Sequence, residues 1–542
     1  MRFLSVNVDS FLIELSSLEQ TLALYRSLLG ADLAAIQSLV PAAQTILVSF
    51  DPYLCQQQQL MQQISALDLD QDQQQQHQRQ VIPIRYDGED LAQVAELQGL
   101  SVQEFIRRHH QSVWQVAFIG FAPGFAYMRC PDQPFGEIPR LAVPRKKIPA
   151  GALGLAGQYS GIYPKDSPGG WQWIGNSTEK MWDLSRPTPA LLLPGMTVQF
   201  EDVTHQPQRI QVPATWAAEP VAKQDTLIDQ SIDSAPAAFS ICATSLQMLI
   251  QDQGRFQQAH LGVGQAGAMD RGAMHSANRL VGNPVDSAVI ELLGGGFQAQ
   301  IEGPITLSIS GAETRIQVDY AIAGQSSQRC YYASGQAIAL DQGDRIKIEQ
   351  PSTGLRIYLA IRGGFALSPV LGSYAYDSLA GLGPQPLQLG SVLYQGQAQT
   401  QHVAAAEIGS RQLPKVGDCV VLDVVMGPRS DWFDAESLAL LFAQPWQVSQ
   451  DSNRVGLRLQ GEQPLTRSIT RELESEGTCI GALQVPPSGQ PVLFMHDHPL
   501  TGGYPVIAAV AQHHWDLVAQ IPAGCWIKFK KIAELIDIEC KS

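Results

Sequence analysis

Apolar residues in this chain fall mostly in short runs that glycine and proline interrupt, which is the pattern of β-strands joined by turns. Between residues 81 and 213 such runs include 115–121, 153–156 and 191–200. The pattern over residues 90–110 instead predicts a helix. The pattern therefore predicts a β-barrel or β-sandwich over residues 81–213 with one helix inserted.

The first 80 residues mix a helical and a strand pattern. Residues 17–29 place apolar side chains at helical spacing, and residues 45–50 form a short apolar run typical of a strand. Residues 56–80 are rich in glutamine. We interpret this compositional bias as a helix running into a mobile loop without a function of its own.

The second half of the chain begins after a segment of different composition. Residues 214–238 show little periodicity and several Ala, Asp, Ser and Pro residues, so they are predicted to be a linker. A β-rich module follows over residues 239–412, with a predicted helix near 269–281. A further change near residue 413 precedes a last block of strands over residues 413–542. The fold class predicted is mainly β with α+β parts.

Composition narrows the function classes. The 542 residues include 47 glycines and 34 prolines, and 36 basic against 51 acidic residues give a net charge of −15. A chain this acidic is repelled by nucleic acid. The cysteines form no CxxC pair, and we expect reduced thiols and a cytoplasmic location. No apolar run reaches about 18 residues, so we expect no membrane partner.

Several familiar motifs fail or are absent. Residues 262–267 match GxGxxG, but no β-branched strand precedes them and no βαβ alternation surrounds them. The sequence contains neither a GxxxxGK[ST] phosphate loop nor a GxSxG nucleophile elbow. His496 and His498, with His513 and His514 nearby, lack a neighbouring Cys or HExxH pattern. We therefore predict no metal site.

One motif occurs twice. The sequence Gly-Ala-Leu is followed by an Asp, a Pro two residues later and then Gly-Gly-aromatic, once around Asp166 and once around Asp497. Paired glycines let backbone amides approach a ligand, and the aspartate can take or hold a proton. Tight β-turns use the same residue types, so each copy taken singly is also explained as a turn. The repetition predicts two related loops that face a shared cleft, with Asp497 in an exposed loop.

The candidate site consists of polar residues placed among glycines in both modules. Arginine, asparagine, backbone amides and a carboxylate together suit polarisation of an amide or carboxyl oxygen with proton transfer. The predicted catalytic residues are Asp166, Asp497 and Asp270. The predicted substrate- or ATP-binding residues are Arg145, Lys165, Gly169, Gly170, Arg255, Asn278, Arg454, Arg458, Glu476, Gln484, Thr501, Gly502, Gly503 and Tyr504.

These residues resemble the fused B and C subunits of prokaryotic 5-oxoprolinase, also described as the Kip inhibitor and antagonist pair. The motifs of the B type lie at residues 120–125, 145–151 and 161–171. The motifs of the C type lie at residues 251–255, 267–270, 277–283, 369–373, 475–486 and 501–505. The same modules resemble the carboxyltransferase part of urea carboxylase, and an older label for them is allophanate hydrolase subunits 1 and 2.

The resemblance implies a fold and a division of the chain. It implies tandem cyclophilin-like β-barrels after a small α/β domain over residues 1–80. Residues 81–213 would be the barrel of a B-type module, which also includes the small domain. Residues 239–412 and 413–542 would be the two halves of a C-type module, the second half being a β-barrel.

The resemblance also implies an activity with partners. It implies ATP-dependent opening of 5-oxoproline to glutamate, with ATP and Mg²⁺, a small amide substrate and a separate protein similar to the A component of 5-oxoprolinase; it leaves homo-oligomerisation open. An alternative is a biotin-dependent carboxyltransferase acting on urea or a similar amide, with biotin carried by a partner because the chain lacks a Met-Lys-Met site. A non-enzymatic, kinase-regulating protein is a further alternative.

Overall fold

A computed structural model describes residues 1–67, 79–132, 134–206, 235–324, 326–407 and 412–540. Residues 214–234 of the predicted linker lie outside the described residues. Residues 68–78 of the glutamine-rich stretch also lie outside them. The first half of that stretch contains the helix Gln57–Ser65.

The N-terminal domain is an antiparallel sheet with two helices. Its elements are β1 (Arg2–Asn7), β2 (Ser10–Glu14), α1 (Leu18–Gly30), β3 (Ile36–Pro41), β4 (Thr45–Phe50) and α2 (Gln57–Ser65). The strands are ordered β3-β4-β2-β1. The predicted helix and strand are both confirmed. Ser17 begins α1 by accepting a hydrogen bond from the backbone N–H of Gln20, as an N-cap serine does.

The next region forms a seven-stranded sheet in the order β12-β9-β10-β7-β6-β13-β5 and a two-stranded one, β11-β8. Its elements are β5 (Arg79–Ile84), α3 (Leu91–Leu97), α4 (Val102–Gln111), β6 (Val113–Ile119), β7 (Ala126–Arg129), β8 (Arg145–Ile148), β9 (Ala152–Ala156), β10 (Tyr159–Ile162), β11 (Ser167–Gly169), β12 (Gln172–Asn176) and β13 (Thr197–Asp202). The prediction of one helix over 90–110 is wrong, because Gly99 has a φ of +66° and separates two helices.

The C-type module begins with two sheets packed on a helix. Its elements are β14 (Ala237–Ala243), β15 (Gln247–Gln251), α5 (Arg271–Val281), β16 (Val289–Leu293), β17 (Gln298–Ile301), β18 (Ile305–Glu313), β19 (Arg315–Tyr320), β20 (Gln328–Ala333), β21 (Gln336–Leu340), β22 (Arg345–Ile348), β23 (Thr353–Ile361) and β24 (Val392–Tyr394). The sheets are ordered β20-β19-β22-β17-β14-β24 and β15-β16-β23-β18-β21. The helix predicted near 269–281 is confirmed as α5.

The last region is a closed barrel in the order β25-β32-β29-β30-β27-β26-β33. Its elements are β25 (Cys419–Met426), α6 (Ala435–Ala443), β26 (Trp446–Val448), β27 (Gly456–Gln460), β28 (Glu476–Gly477), β29 (Ala482–Gln484), β30 (Val492–Phe494), β31 (Thr501–Gly502), β32 (Val506–Val510), α7 (Trp515–Ala519), β33 (Trp526–Ala533) and β34 (Asp537–Glu539). The mainly β fold class with a closed barrel is confirmed. No helix in the described ranges has both the length and the apolar character needed to cross a bilayer.

The regions pack closely on one another. Strand β34 leaves the barrel and pairs antiparallel with β1, so the N-terminal sheet has five strands. The backbone N–H of Gly124 donates to the carbonyl of Leu261 at 3.0 Å. A Cβ added at Gly262 would lie 2.6 Å from Ile119 Cγ2, which leaves room for glycine alone. This packing places the loops of the first module against the C-type module.

Candidate functional site

Asp166, in the first copy of the repeated motif, is a surface residue. Its side chain is 53% exposed and forms an ion pair with Lys147 at 2.7 Å. Its Oδ1 accepts a hydrogen bond from the backbone N–H of Ala150 at 3.0 Å. These contacts, Lys147 first, hold the pKa of Asp166 below its usual value. They are the contacts of a turn aspartate, and the catalytic role of Asp166 stays a prediction.

Lys165, the residue before Asp166, points into the molecule. Its ammonium group donates to the backbone carbonyls of Leu379 at 2.6 Å and Ala380 at 3.1 Å, both in the C-type module. Burial lowers the pKa of Lys165. The first loop of the repeated motif therefore reaches the second module through its lysine.

Asp497, in the second copy, is buried, and the expectation of an exposed loop is wrong. It is 1% exposed, because Arg454 covers both carboxylate oxygens. The guanidinium donates from Nε to Oδ2 and from Nη2 to Oδ1, each at 2.9 Å. Oδ2 also accepts from Ser378, from its backbone N–H at 2.9 Å and its hydroxyl at 2.6 Å. The two aspartates of the repeated motif thus have opposite environments.

The two loops of the repeated motif meet at one turn of the C-type module, residues 377–380. Lys165 contacts it from one side and Asp497 from the other. Within the turn, Asp377 Oδ1 accepts from the backbone N–H groups of Leu379 and Ala380, at 2.9 and 2.8 Å. We call residues 377–380 the junction turn.

Asp377 is the titratable residue of the junction turn. It is 3% exposed. Burial, and then the charge of Asp497, raise its pKa to about 6. A carboxyl group that titrates near neutral pH can both take and return a proton. The sequence prediction missed Asp377. The sequence feature that could have indicated it is an Asp-Ser pair a few residues before Gly381.

Arg454 belongs to a buried network behind Asp497. Its Nη1 donates to Glu291 Oε1 at 2.5 Å, and its Nη2 donates also to the carbonyl of Gly267 at 2.7 Å. Glu291 Oε2 accepts from the Tyr358 hydroxyl at 2.9 Å and from the backbone N–H of Met269 at 2.9 Å. Although burial alone would lower the pKa of Arg454, Asp497 and Glu291 raise it. The network fixes the position of Asp497.

Asp270 and Asn278 make contacts that organise α5. Asp270 caps the helix, since its Oδ1 accepts from the backbone N–H of Ala273 at 2.8 Å. Its Oδ2 accepts from the side-chain amide of Gln520 at 2.8 Å. The side-chain amide of Asn278 donates to the backbone carbonyl of Ser287 at 2.8 Å. The structure gives both residues structural partners, and their predicted roles in the site stay predictions.

The other predicted polar residues do not gather at the junction turn. Arg145 forms a bidentate pair with Asp90, Glu476 pairs with Arg429, Gln484 donates to the Tyr504 carbonyl, and Arg458 is exposed on β27. The glycines and neighbouring residues of the repeated motif, Gly169, Gly170, Thr501, Gly502, Gly503 and Tyr504, lie in or beside β11 and β31. Their proposed binding roles stay predictions.

A cavity of about 300 Å³ lies beside this site, between the N-terminal domain and the C-type module. Asp9 and Ser10 line it from one side, and Arg255 and His498 from the other. A Cβ added at Gly264, between two lining residues, would lie 3.9 Å from Asp377 Oδ2 and 3.7 Å from the His498 carbonyl. Asp377 of the junction turn therefore lies close to Gly264, behind the residues that line the cavity.

The side chains of Asp423, His513 and His514 bring potential metal-ligand atoms within 4.8 Å of one another. His514 Nδ1, however, accepts a hydrogen bond from the backbone N–H of Asp423 at 2.9 Å. The ammonium group of Lys530 also lies 3.9 Å from Asp423 Oδ1. A nitrogen already in use and a nearby cation give this cluster the character of a hydrogen-bonded surface group.

Comparison with known proteins places both halves in one family. The family model described as carboxyltransferase domain, subdomain A and B, matches residues 261–531, and that described as carboxyltransferase domain, subdomain C and D, matches residues 1–192. The chain is 34% identical to the C subunit of 5-oxoprolinase from Escherichia coli (strain K12) over 294 residues, covering 53% of this chain and 89% of that protein.

Two further relatives extend the match along nearly the whole chain. The chain is 35% identical to the B subunit of 5-oxoprolinase from Haemophilus influenzae over 156 residues, covering 28% of this chain and 70% of that protein. The crystal structure of TTHA0988 superposes with a TM-score of 0.79 at 28% identity, covering 96% of this chain and 100% of that one. This chain therefore belongs to the family defined by these carboxyltransferase subdomains, with a half similar to the 5-oxoprolinase B subunit followed by a half similar to the C subunit.

Proposed function

We propose that this chain is the combined B and C component of an ATP-dependent 5-oxoprolinase, which opens 5-oxoproline to glutamate together with a separate A-type protein, meaning one similar to the A component of that enzyme. The names of the relatives of both halves support this proposal. The observation that carries it is the junction turn, which Lys165 holds from the B-type half and Asp497 from the C-type half. Contacts from both halves at one turn support a site to which both contribute. A cytoplasmic location is part of this proposal.

Opening the lactam requires proton transfer. Water adds to the ring carbonyl, the carbon–nitrogen bond breaks, and the departing nitrogen takes a proton. We assign this proton transfer to Asp377, whose pKa lies near neutral pH because of burial and the charge of Asp497. Asp497 is then a positioning residue, because Arg454 holds both of its oxygens.

ATP, with Mg²⁺, supplies the phosphoryl group that makes opening of an unstrained lactam favourable, and a second water is consumed in forming ADP and phosphate. The cavity beside the junction turn, at about 300 Å³, is at the small end of ligand sites, which span roughly 300–1,000 Å³. It suits a small amide and does not also hold a nucleotide. ATP would therefore bind at another surface.

The test is to purify the chain with and without an A-type protein and to measure release of ADP and glutamate from ATP and 5-oxoproline. We expect stoichiometric release of both products with the partner and little turnover from the chain alone. Absence of glutamate in the reconstituted mixture would refute the proposal. Robust turnover by the chain alone would refute the assigned need for a partner.

A biotin-dependent carboxyltransferase is the second candidate, and the description of the matching family models favours it. In that reaction a partner carries carboxybiotin, and the chain would transfer the carboxyl group to urea or a similar amide. Incubation with carboxybiotin and labelled urea separates the two candidates. Carboxylated urea without glutamate formation from 5-oxoproline would favour the second.

A further inference from the structure

The cavity between the N-terminal domain and the C-type module is lined by arginines whose N–H groups are not all satisfied. Arg255 lines the cavity and is 2% exposed. Its Nε donates to the Val370 carbonyl at 3.0 Å, and its Nη2 donates to the Ala375 carbonyl. Its Nη1 is buried and has no hydrogen-bond partner. A buried guanidinium N–H without an acceptor is costly, which indicates that a ligand supplies the acceptor.

Arg271 is a second arginine in the lining of the same cavity. Its Nη2 donates weakly to the Gln253 carbonyl at 3.3 Å, and its buried Nε has no hydrogen-bond partner. Burial lowers the pKa of both Arg255 and Arg271, as expected for cations whose hydration is not fully replaced. Two arginines that line one small cavity therefore each have a buried N–H group without a hydrogen-bond partner.

The acidic groups that act on Arg255 are Asp377, Asp252 and Asp497, and each accepts hydrogen bonds from other donors. Asp377 accepts from the backbone N–H groups of Leu379 and Ala380. Asp252 accepts from the Ser373 hydroxyl at 2.6 Å and from the backbone N–H groups of Gly254 and Tyr374. Asp497 is held by Arg454. The charges of all three act on Arg255, but none of them accepts a hydrogen bond from its Nη1.

The acid nearest to Arg271 is engaged in the same way. Asp516 accepts from the backbone N–H groups of Arg271 and Gly272, at 3.0 and 3.3 Å. Among the described residues that line the cavity, the acidic side chain is Asp9, and burial raises its pKa to about 6. The lining therefore carries two arginines and one acidic side chain, with Asp377 close behind it at Gly264.

We infer that this cavity is a receptor for a small carboxylate, which Arg255 and Arg271 bind through Nη1 and Nε. Guanidinium groups favour carboxylates because their N–H groups match the carboxylate oxygens. Taking the ligand to be 5-oxoproline rests on the proposed function. Its carboxylate would lie on the arginines while its lactam ring faces the junction turn, where Asp377 Oδ2 lies close to Gly264 at the cavity wall.

The N-terminal domain also lines the cavity. Asp9, Ser10, Gln37 and Ser49 line it opposite the arginines. We expect the N-terminal residues to keep water from the bound carboxylate, because an ion pair that is exposed to water contributes little. Binding of the substrate carboxylate therefore requires both halves of the chain.

The test is calorimetric titration of the full chain with 5-oxoproline and with 2-pyrrolidinone, which has the same ring without the carboxylate. We expect 5-oxoproline to bind at least about tenfold more tightly, because a hydrogen bond to a charged group contributes about 1.5–3 kcal/mol. Equal affinities for the two compounds, or saturable binding of inorganic phosphate without binding of 5-oxoproline, would overturn the inference.

Variants locate the binding residues. Arg271→Gln and Arg255→Lys should each weaken 5-oxoproline binding about tenfold or more, whereas Arg345→Gln should not change it. Arg345 is a matched control, since it is an exposed arginine on β22 that donates to Gln300 at 2.8 Å. Melting temperature and circular dichroism show whether each variant folds. If Arg255→Lys does not fold, Arg271→Gln decides, and unchanged affinity in a folded Arg271→Gln overturns the inference.

The outcomes separate this inference from the proposed function. If 5-oxoproline binds in a way that depends on the arginines but no glutamate forms with the partner present, the carboxylate site is supported and the proposed 5-oxoprolinase function is refuted. If Arg271→Gln forms glutamate with an unchanged KM, the proposed function is supported and the carboxylate site is refuted. A larger effect on KM than on kcat is the expected signature of a residue that binds the substrate carboxylate.

Discussion

Replacing Asp497 by asparagine should destabilise the protein, because the carboxylate is buried against a cation. Oδ2 accepts three hydrogen bonds, from Arg454 Nε and twice from Ser378, whereas Oδ1 accepts one from Arg454 Nη2. The amide introduced at position 497 should therefore place its NH₂ group where Oδ1 now lies. There the NH₂ group would face Arg454 Nη2, and because both groups are hydrogen-bond donors, the hydrogen bond between them would be lost.

The size of the effect follows from what Arg454 retains. Breaking a buried ion pair costs about 3–5 kcal/mol, since it leaves a buried charge uncompensated. Arg454 would still contact Glu291 at 2.5 Å, so we expect the lower end, about 3 kcal/mol. A cooperative unit of about 150–250 residues loses about 2–4 °C in melting temperature per kcal/mol, so the melting temperature should fall by roughly 6–12 °C.

The assay is a calorimetric melt of Asp497→Asn beside Asp166→Asn. Asp166 is the matched control, because it occupies the same place in the repeated motif but is exposed and paired with Lys147. Its replacement should change stability by less than about 0.5 kcal/mol. Equal melting temperatures for the two variants would refute the assignment of Asp497 to a buried, structural ion pair.

Two further predictions concern the junction turn. Asp377→Asn should lower turnover in the reconstituted complex ~100-fold or more without lowering the melting temperature, because the raised pKa, about 6, means that ionised Asp377 costs stability. That cost is present above about pH 6 and fades as the pH falls toward the unfolded value, so any melting advantage of the variant should be seen at about pH 8 and disappear near pH 4; a lower melting temperature at both pH values would contradict this. Lys165→Met removes both hydrogen bonds to the turn and should accelerate amide exchange at residues 378–380, while Lys147→Met, at an exposed lysine, should not; equal exchange in the two variants would show that Lys165 does not hold the turn.

The sequence could predict elements whose causes are local. The helix Leu18–Gly30 follows from its spacing and from the serine that caps it, and the strand Thr45–Phe50 follows from one apolar run. The split of the helix predicted over 90–110 was signalled by Gly99, whose positive φ favours glycine. The repeated motif contains Lys165 and Asp497, which both contact the junction turn, while their roles in a site stay predictions.

The environments of the candidate residues depend on contacts between distant parts of the chain and could not be read locally. Asp166 and Asp497 share a motif, yet one faces Lys147 on the surface and the other Arg454 in the interior. Asp377 has no motif of its own. Its raised pKa arises because folding buries it beside Asp497, from a different part of the chain. Pairings of this kind are set by tertiary packing and leave no periodic trace.

The pairing of β34 with β1 has a consequence for biosynthesis. Strand β1 leaves the ribosome long before its partner strand β34, in which Ile538 lies opposite Phe3. Until then the β1 edge of the N-terminal sheet presents unpaired backbone groups, which are prone to join strands of other chains. Pairing between such distant residues forms slowly. We therefore expect nascent chains halted before residue 537 to depend on chaperones, and emergence of β34 from the ribosome to end that dependence.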